Sequence, residues 1–453
     1  MAIRVPGIIV RIVNDTGIIA PPIFQRYPVI IGEGDPYRTI SDYRIRKTAD
    51  DYDGLGAITT VNDIVSVGDL PGIASYVATT DYELSGNTIH WVGVHKPDDG
   101  DYYYATYTET RPASAYVPML YFDENLIYAD HGNQTRTSGA INDVSVGSSL
   151  ALSAGSGGVI VMQLDLSGAA DPDVPTPTEL ENAFIDSVDL LNRITDYKLF
   201  LVPMSSGTLL TTTAANIFFN HAVIASQPAR KQERTVVASL AKGVDYQGAA
   251  TFAISYFHER MVVPYVPDAT VNVVGFTADY DMRFYAAALT GKLCSVSIGR
   301  NISDEIIPNV SFPGNFSPDE ADYLVQRGVS PAKVSGAVVR NIMAITTDTT
   351  NALTEDLGVQ DVKDYVKKYW REGLWTAFKN APITRSLIAQ VRAASVGILD
   401  YLVSQGTIAE YRELAVAQDI TEPRKLLISG KIKPAFGLQW MDITFTFVMA
   451  FTG

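Results

Sequence analysis

Metal binding and acid–base catalysis both draw first on histidine, and the chain of 453 residues holds five. His90 and His95 stand five apart in HWVGVH. On a strand that spacing sends them to opposite faces, so they are not a simple shared ligand pair there. His258 precedes Glu259, but no second His follows at the spacing a zinc-protease helix requires. A structural role is the expectation for these histidines. LTGKL (Leu289–Leu293) and SGKI (Ser429–Ile432) contain the Gly-Lys pair of a phosphate loop. Neither Lys is followed by Ser or Thr, and the first glycine of that motif is missing from both. A G-x-S-x-G elbow is absent from the sequence. The single cysteine, Cys294, cannot form an internal disulfide, so the fold does not need an oxidising compartment. Catalytic, cofactor and metal residues are therefore expected to be none.

Two other groups have both a sharp and a bland reading. Tyr102–Tyr104 suits a sugar or receptor surface, but aromatics also favour half-buried sheets, and strand packing is the expectation. Lys363, Lys367, Lys368 and Arg371 recur about one helical turn apart. They are either a basic stripe that grips an acidic partner or a solvated helix face.

Composition narrows the class further. The length predicts two or three domains. Charged residues are only 19% against the usual quarter, which suits an assembly subunit that hides surface against partners. Net charge is −15, unevenly spread: from Asp361 onward 12 Lys and Arg face 9 Asp and Glu, whereas the preceding residues hold 23 against 41. An acidic bulk argues against general nucleic-acid binding. The opening MAIRVPGIIVRIVNDTG does not read as a signal peptide, since Pro6 and Arg11 break its apolar stretch. No sequence run approaches the roughly 18 apolar residues of a membrane span, so membrane insertion is not expected.

The elements that must position any site read as follows. In GIIVRIVND, Ile8, Val10 and Ile12 fall on one face of a short strand without a nearby hairpin mate. PVIIGEGDP reads as a buried strand entering a Gly-rich turn. From about residue 73 to 166, short strands alternate with turn signals, and the Gly- and Ser-rich part after Asp130 reads as exposed loops. The prolines of DPDVPTPTEL mark a linker, after which Thr178 with Glu181 reads as a capping box for a helix carrying Phe184, Val188 and Leu191. Next come the strand YKLFLVPM, a helix near Ala214–Ser226, and strands near Thr251–Phe257 and Met261–Pro264, an α/β layer. Val362, Tyr365, Val366 and Tyr369 lie at helical spacing, and a second helix from Thr384 ends at Gly406. Lys425–Ile432 reads as a strand. The chain closes on LQWMDITFTFVMAFTG, where Met441, Ile443, Phe445, Phe447, Met449 and Phe451 alternate strictly.

Several segments, in order, resemble contractile bacteriophage tail sheath proteins: VPGIIV, VIIGEGDP, FTADYDMRFYAAALTGKL, and the passage from NVSFPGNF to NIMAITT. The C-terminal part resembles them most, through WTAFKNAPITRSLIAQVRAASVGILDYLVSQGTI, VAQDI and the closing strand pair. The resemblance implies an α+β multidomain subunit with an α/β core, a C-terminal α/β domain, a β-rich insertion and exchanged terminal strands. The expected divisions are an arm at 1–25, core at 26–72, β-rich insertion at 73–166, main core at 167–345 and C-terminal domain at 346–453. It implies hexameric rings stacked around a tail tube, with baseplate and tail terminator proteins as further partners. Each subunit would lend its terminal strands, carrying Ile8, Val10, Ile12, Ile443, Phe445, Phe447 and Met449, to sheets completed by neighbours. Both are apolar alternating strands with little of the charge or proline that blunts an edge, as β-augmentation requires. The basic stripe would then face the tube.

The function so implied is a phage tail sheath that contracts to drive its tube through the host envelope. Its expected location is the virion tail, after synthesis in the host cytoplasm. The alternatives are the sheath of a related injection or secretion device, a metabolic α/β enzyme without a recognisable motif, and a surface adhesin built on residues 73–166.

Overall fold

The computed structural model describes residues 25–57, 59–227 and 230–436. The first strand, β1 (Arg26–Gly32), is buried along its whole length, as a strand covered on both faces must be. The chain then leaves for an outlying module of β2 (Tyr37–Arg46), β3 (Tyr52–Gly54), β4 (Val61–Gly68), β5 (Tyr82–Ser85), β6 (Thr88–Trp91) and β7 (Tyr102–Thr110). These make two antiparallel sheets, β2-β7-β4 and β3-β6-β5, around Leu55, Val67, Ile89, Trp91, Tyr103 and Tyr107. The buried Asp53 carboxylate accepts from Trp91 Nε1 at 2.8 Å and from the Tyr103 hydroxyl at 3.0 Å, so its charge is met by donors. Tyr103 is thus a core residue, while Tyr102 lies outside beneath the Arg44 guanidinium.

The chain returns through β8 (Met119–Tyr121), α1 (Glu124–His131), α2 (Asp143–Ser153), β9 (Val159–Gln163), α3 (Pro177–Leu191), β10 (Lys198–Met204), α4 (Thr208–Ala225), β11 (Arg234–Val237), α5 (Tyr246–Tyr256) and β12 (Met261–Tyr265). After them come β13 (Val271–Val273), β14 (Asp279–Tyr280), α6 (Arg283–Ser295), β15 (Ile306–Ile307), β16 (Val310–Ser311), α7 (Pro318–Val325), β17 (Val329–Ser335) and β18 (Val338–Asn341). The main sheet runs β15-β18-β17-β12-β11-β10-β1-β9-β8, parallel from β9 to β17 with antiparallel edges. A C-terminal unit follows: α8 (Ala352–Glu355), α9 (Leu357–Phe378), α10 (Arg385–Ser404) and the antiparallel hairpin β19 (Ile408–Gln418) and β20 (Leu426–Pro434).

Several expectations are corrected here. The β-rich strands occupy residues 37–110 rather than 73–166, and residues 119–163 already belong to the main sheet and its helices. The Gly- and Ser-rich stretch after Asp130 is not all exposed loop: it contains α2, most of which is buried. Small side chains are what allow α2 to lie against α6. A Cβ on Gly291 would stand 2.2 Å from the Ala151 carbonyl oxygen, a backbone atom that cannot turn aside. Gly291→Ala is therefore expected to cost about 1–3 kcal/mol in denaturant unfolding. Gly157→Ala, in open space, serves as control.

The segment near Thr251–Phe257, expected as a strand, belongs to α5, because Asp245 caps it and Ala249, Ala250 and Ala253 recur at helical spacing on the buried face. The capping box of α3 is Thr176 with Glu179, two residues earlier than read. Pro177 fits the first helical turn, where its missing N–H costs nothing, and so moves the cap back. Helix α10 is long and apolar enough to cross a bilayer by length and composition, contrary to the sequence expectation. Here Leu387, Val391, Ile398 and Leu402 on it are buried in the C-terminal core. That C-terminal unit, expected as α/β, is in its described residues two long helices, one short one and an antiparallel hairpin.

Candidate functional site: the C-terminal unit and its clamp on the sheet

Three parallel strands meet the C-terminal unit at their amino ends, each announced by a basic residue. Arg26 opens β1, Lys198 opens β10, and Arg260 immediately precedes β12. Arg26 and Lys198 are register partners. Helix α9 places Asp361 and Asp364 three residues apart, so both project from one face. The result is a buried alternating ladder. Arg26 bonds Asp361, Lys198 Nζ lies 2.5 Å from Asp361 and 2.9 Å from Asp364, and Arg260 grips Asp364 with two bonds of 2.5 and 2.7 Å. All five side chains are almost fully buried. Burial works to raise Asp364, but the charges of Arg260 and Lys198 outweigh it and hold the carboxyl well below the usual range.

The expected basic stripe does not exist as one surface. Lys363 pairs with Glu259 at 3.0 Å and Arg371 with Glu233 at 3.1 Å. Lys368 is buried and donates to the Asp196 carbonyl. Of the four, only Lys367 is exposed. The helix that carries them lies against the amino edge of the sheet, so three of the four charges find partners within the protein.

Beyond the clamp, Val362, Val366 and Tyr369 of α9 pack with Leu387, Val391, Ile398 and Leu402 of α10. Trp370 Nε1 donates to Ser395 Oγ at 3.0 Å, tying the two helices. The hairpin leans on this core through Tyr411, Leu414, Val416, Leu426, Ile428 and Ile432, all half-buried. Among the described residues β19 and β20 pair only with each other. A two-stranded sheet is marginal alone, and among the described residues neither outer edge has a strand partner. At the tip, Ile420 is 96% exposed, held by an Asp419 turn that accepts from the Thr421 and Glu422 amides. The terminal-strand residues Ile8, Val10, Ile12, Ile443, Phe445, Phe447 and Met449 lie outside the described residues.

The carboxyl edge, where open α/β sheets place ligands at the switch in strand order, is filled at β1 by the root of the β-rich module. Gln163 bridges the Asp35 carbonyl at 3.0 Å and His131 Nδ1 at 2.9 Å, and Arg111 Nε donates to Asp35 O at 2.7 Å. Gly34 permits this, since a Cβ there would meet the Gln163 side chain at 2.5 Å. Burial lowers His131, with the Gln163 bond opposing. Outside this edge, His90 sits 2.9 Å from Glu83, stacked on Tyr52, and His95 sits 3.2 Å from Asp81, so each has a separate partner. Among the described residues no cluster of His, Cys, Asp or Glu is placed to hold a metal ion.

Nearby, Asp143 is pushed up to about 7 by burial, against the lowering charge of Arg283, with Glu33 and Asp281 adding to the rise. A raised carboxyl favours folding when protonated. Its contribution is full below its unfolded value of about 4 and is lost as pH climbs through about 7. Asp143→Asn is expected to flatten the decline in unfolding midpoint across that window; parallel slopes for both proteins would contradict the assignment.

No family model and no curated protein matches the chain. Solved structures do. The helical sheath of the anti-feeding prophage in its contracted state superimposes with a TM-score of 0.56 at 14% identity, over 74% of this chain and 89% of that one. The contracted sheath complex of an extracellular contractile injection system, PVC, gives 0.52 at 15%, over 73% and 87%. A sheath tail protein from Listeria innocua gives 0.50 at 11%, over 94% and 96%. The chain has the contractile-sheath fold. The resemblance to contractile sheath proteins is thus met at the level of architecture, while VPGIIV and the closing strand lie outside the described residues.

The ladder residues Arg26, Lys198, Arg260, Asp361 and Asp364 were not singled out from sequence. A signal was present: three apolar strand runs, RYPVIIG, KLFLVPM and RMVVPY, each begin with a cation, and two aspartates punctuate the apolar face of one helix.

Proposed function

We propose that this protein is the sheath subunit of a contractile tail. It polymerises around an inner tube and shortens to drive that tube through a target envelope. The observation that carries the reading is the β19–β20 hairpin, whose outer edges have no strand partner among the described residues, in a chain with the sheath fold. The alternating strands Ile8–Ile12 and Ile443–Met449 are suited to fill such edges in neighbouring copies, backbone bonds giving affinity and side-chain alternation giving register. The filled carboxyl edge supports a structural rather than enzymatic role. In this reading the partners are further copies in hexameric rings, a tube protein, a baseplate and a terminator, without nucleic acid or membrane insertion. The subunit is made in the bacterial cytoplasm and ends in a phage tail. A related injection device is the second reading, favoured by the anti-feeding prophage and PVC likenesses. A capsid gene beside this one would favour the phage.

The test is electron microscopy of the purified full-length chain with its sedimentation profile. Hollow tubes or ring stacks of regular width are expected. A small uniform particle at every concentration, even with tube and baseplate supplied as nuclei, would sink the reading. Within it, tube contact falls to Lys367, the exposed member of the four basic residues. Lys367→Glu is expected to weaken tube docking and its salt dependence while leaving sheath self-association within twofold. Unchanged docking would leave Lys367 a solvated residue.

A further inference from the structure

We propose that the outer face of α4 and α5 docks on the β8 edge of a second copy, in a head-to-tail contact between neighbouring subunits. The contact rests on the sheath reading and adds to it a surface independent of the terminal strands. Neither α4 nor α5 contains an Asp, Glu, Lys or Arg. The two helices lie side by side: the Tyr256 hydroxyl donates to Asn216 Oδ1 at 2.9 Å, and its ring stands 5.0 Å from that of Phe219. Their outer face leaves Ile224 48%, Ile254 49% and Phe257 52% exposed. Helix α3, packed against α4 through Phe184 and Phe218, shows what water requires, with Glu181, Asp186 and Asp189 exposed. A face poor in charge and rich in aromatic side chains has the composition of an interface core.

Phe257 is the decisive residue. It caps α5 at φ +39° and ψ +61°, in the left-handed region that glycine enters without steric cost. A bulky aromatic there strains the backbone, and half of the residue stays in the open, so packing within the subunit does not offset the strain. Burial against a partner does.

Charge selects the partner. Just past α4, Arg230 and Lys231 are exposed and make the rim of this face basic. Pressed on its own like, the face would oppose these charges, so the contact is not two-fold. The same chain carries a matching surface at the β8 end of the main sheet, beyond β1 and β9 and away from the β10, β11 and β12 that α4 and α5 connect. From Pro112 to Phe122 there is no charged residue. At β8 and its flanks Val117, Met119, Phe122 and Leu126 are 49–66% exposed, and β8 has no strand on its outer side among the described residues. Asp123 and Glu124, both exposed, make this rim acidic. Apolar centre thus meets apolar centre, and basic rim meets acidic rim. Because the two surfaces differ, each copy offers one to each neighbour. Such a contact repeats into rings or helices instead of closing as a pair.

The test is Phe257→Gly in the full chain. Glycine relieves the left-handed backbone, so the unfolding midpoint should stay at or above the wild-type value. Tube yield, by electron microscopy with sedimentation, should nevertheless fall on the order of tenfold or more. Met119→Lys should lower the yield in the same way with its midpoint unchanged. Arg230→Glu with Lys231→Glu should also lower it, and adding Glu124→Lys should recover part of the loss. Chains carrying Ile254→Cys and chains carrying Val117→Cys, both with Cys294→Ala, are then mixed and treated with a short bis-maleimide. Cross-linked pairs are expected from the mixture and from neither chain alone. Tubes from Phe257→Gly at wild-type yield would overturn the proposal, as would cross-links within the Ile254→Cys chain alone, which mean a self-paired face. Normal self-association with lost tube docking would give the face to the tube protein and overturn it too. A wild-type chain that forms no tubes would instead sink the sheath reading, and the mixed cross-linking at high subunit concentration would still decide the contact.

Discussion

Asp364→Ala is expected to destabilise the subunit by about 3–5 kcal/mol, the cost of stripping one partner from a buried ion pair. Asp364 is the carboxylate that Arg260 grips twice and Lys198 shares, and all three are buried. Removing it leaves the Arg260 guanidinium dry and without its carboxylate, which is costlier than the loss of the bond itself. The damage should concentrate where α9 meets the sheet. Single-tryptophan variants that keep Trp370 on α9 or Trp91 in the β-rich module report the two regions separately. The α9 signal should move to lower denaturant, and Lys367→Ala should shift it by no more than about 0.5 kcal/mol. The same site fixes a sign for pH. Because Asp364 is held below its ordinary value, its contribution is present at neutral pH and is lost as pH falls through the carboxylate range and below. The wild type should therefore lose stability in acid faster than Asp364→Ala. A loss under about 1 kcal/mol at neutral pH would mean that the ladder does not fasten the C-terminal unit.

Deleting residues 441–453, or residues 1–13, is expected to abolish assembly entirely while leaving a folded subunit. The main sheet from β1 onward and the C-terminal core around Leu387, Ile398 and Leu402 are built among the described residues 25–436, so circular dichroism and unfolding midpoint are expected to change little. What is lost is the strand that would fill a neighbour's edge, and with it the backbone bonds that join copies. The measurement is tube yield by electron microscopy with sedimentation at matched concentration. Long ordered tubes from either truncated chain would remove the terminal strands from the mechanism.

Much of this was legible in the residues because it depends on short windows. The runs PVIIG and LFLVPM are apolar throughout, and both are strands buried on each face. Thr384 and Gly406 bracket α10 as read, with Thr384 Oγ1 accepting from the Leu387 amide and Gly406 at φ +68° just past the end. The failures have physical causes of the same scale. The Ser and Gly of α2 suit a loop by local propensity, whereas Gly147 lies against Met204 and Ile30 of the main sheet and Ala151 meets Gly291, far along the chain. The stretch at Thr251 mixes β-branched and aromatic residues, and the Asp245 cap with a buried alanine face decided for helix.

The sequence by itself determined the strands and helices with strong periodicity, the lack of a zinc-protease, phosphate-loop or nucleophile-elbow motif, and the alternation of the terminal segments. Those properties arise from side chains a few residues apart on one element. Only the tertiary structure decided that Asp361 and Asp364 meet Arg26, Lys198 and Arg260, that Lys368 is buried while Lys367 is not, and that the β-rich module ends near residue 110. Arg26 and Asp361 are separated by 335 positions. Whether such charges become a buried pair or a solvated face depends on which elements the folded chain brings together. Side-chain chemistry along one helix is the same in either case.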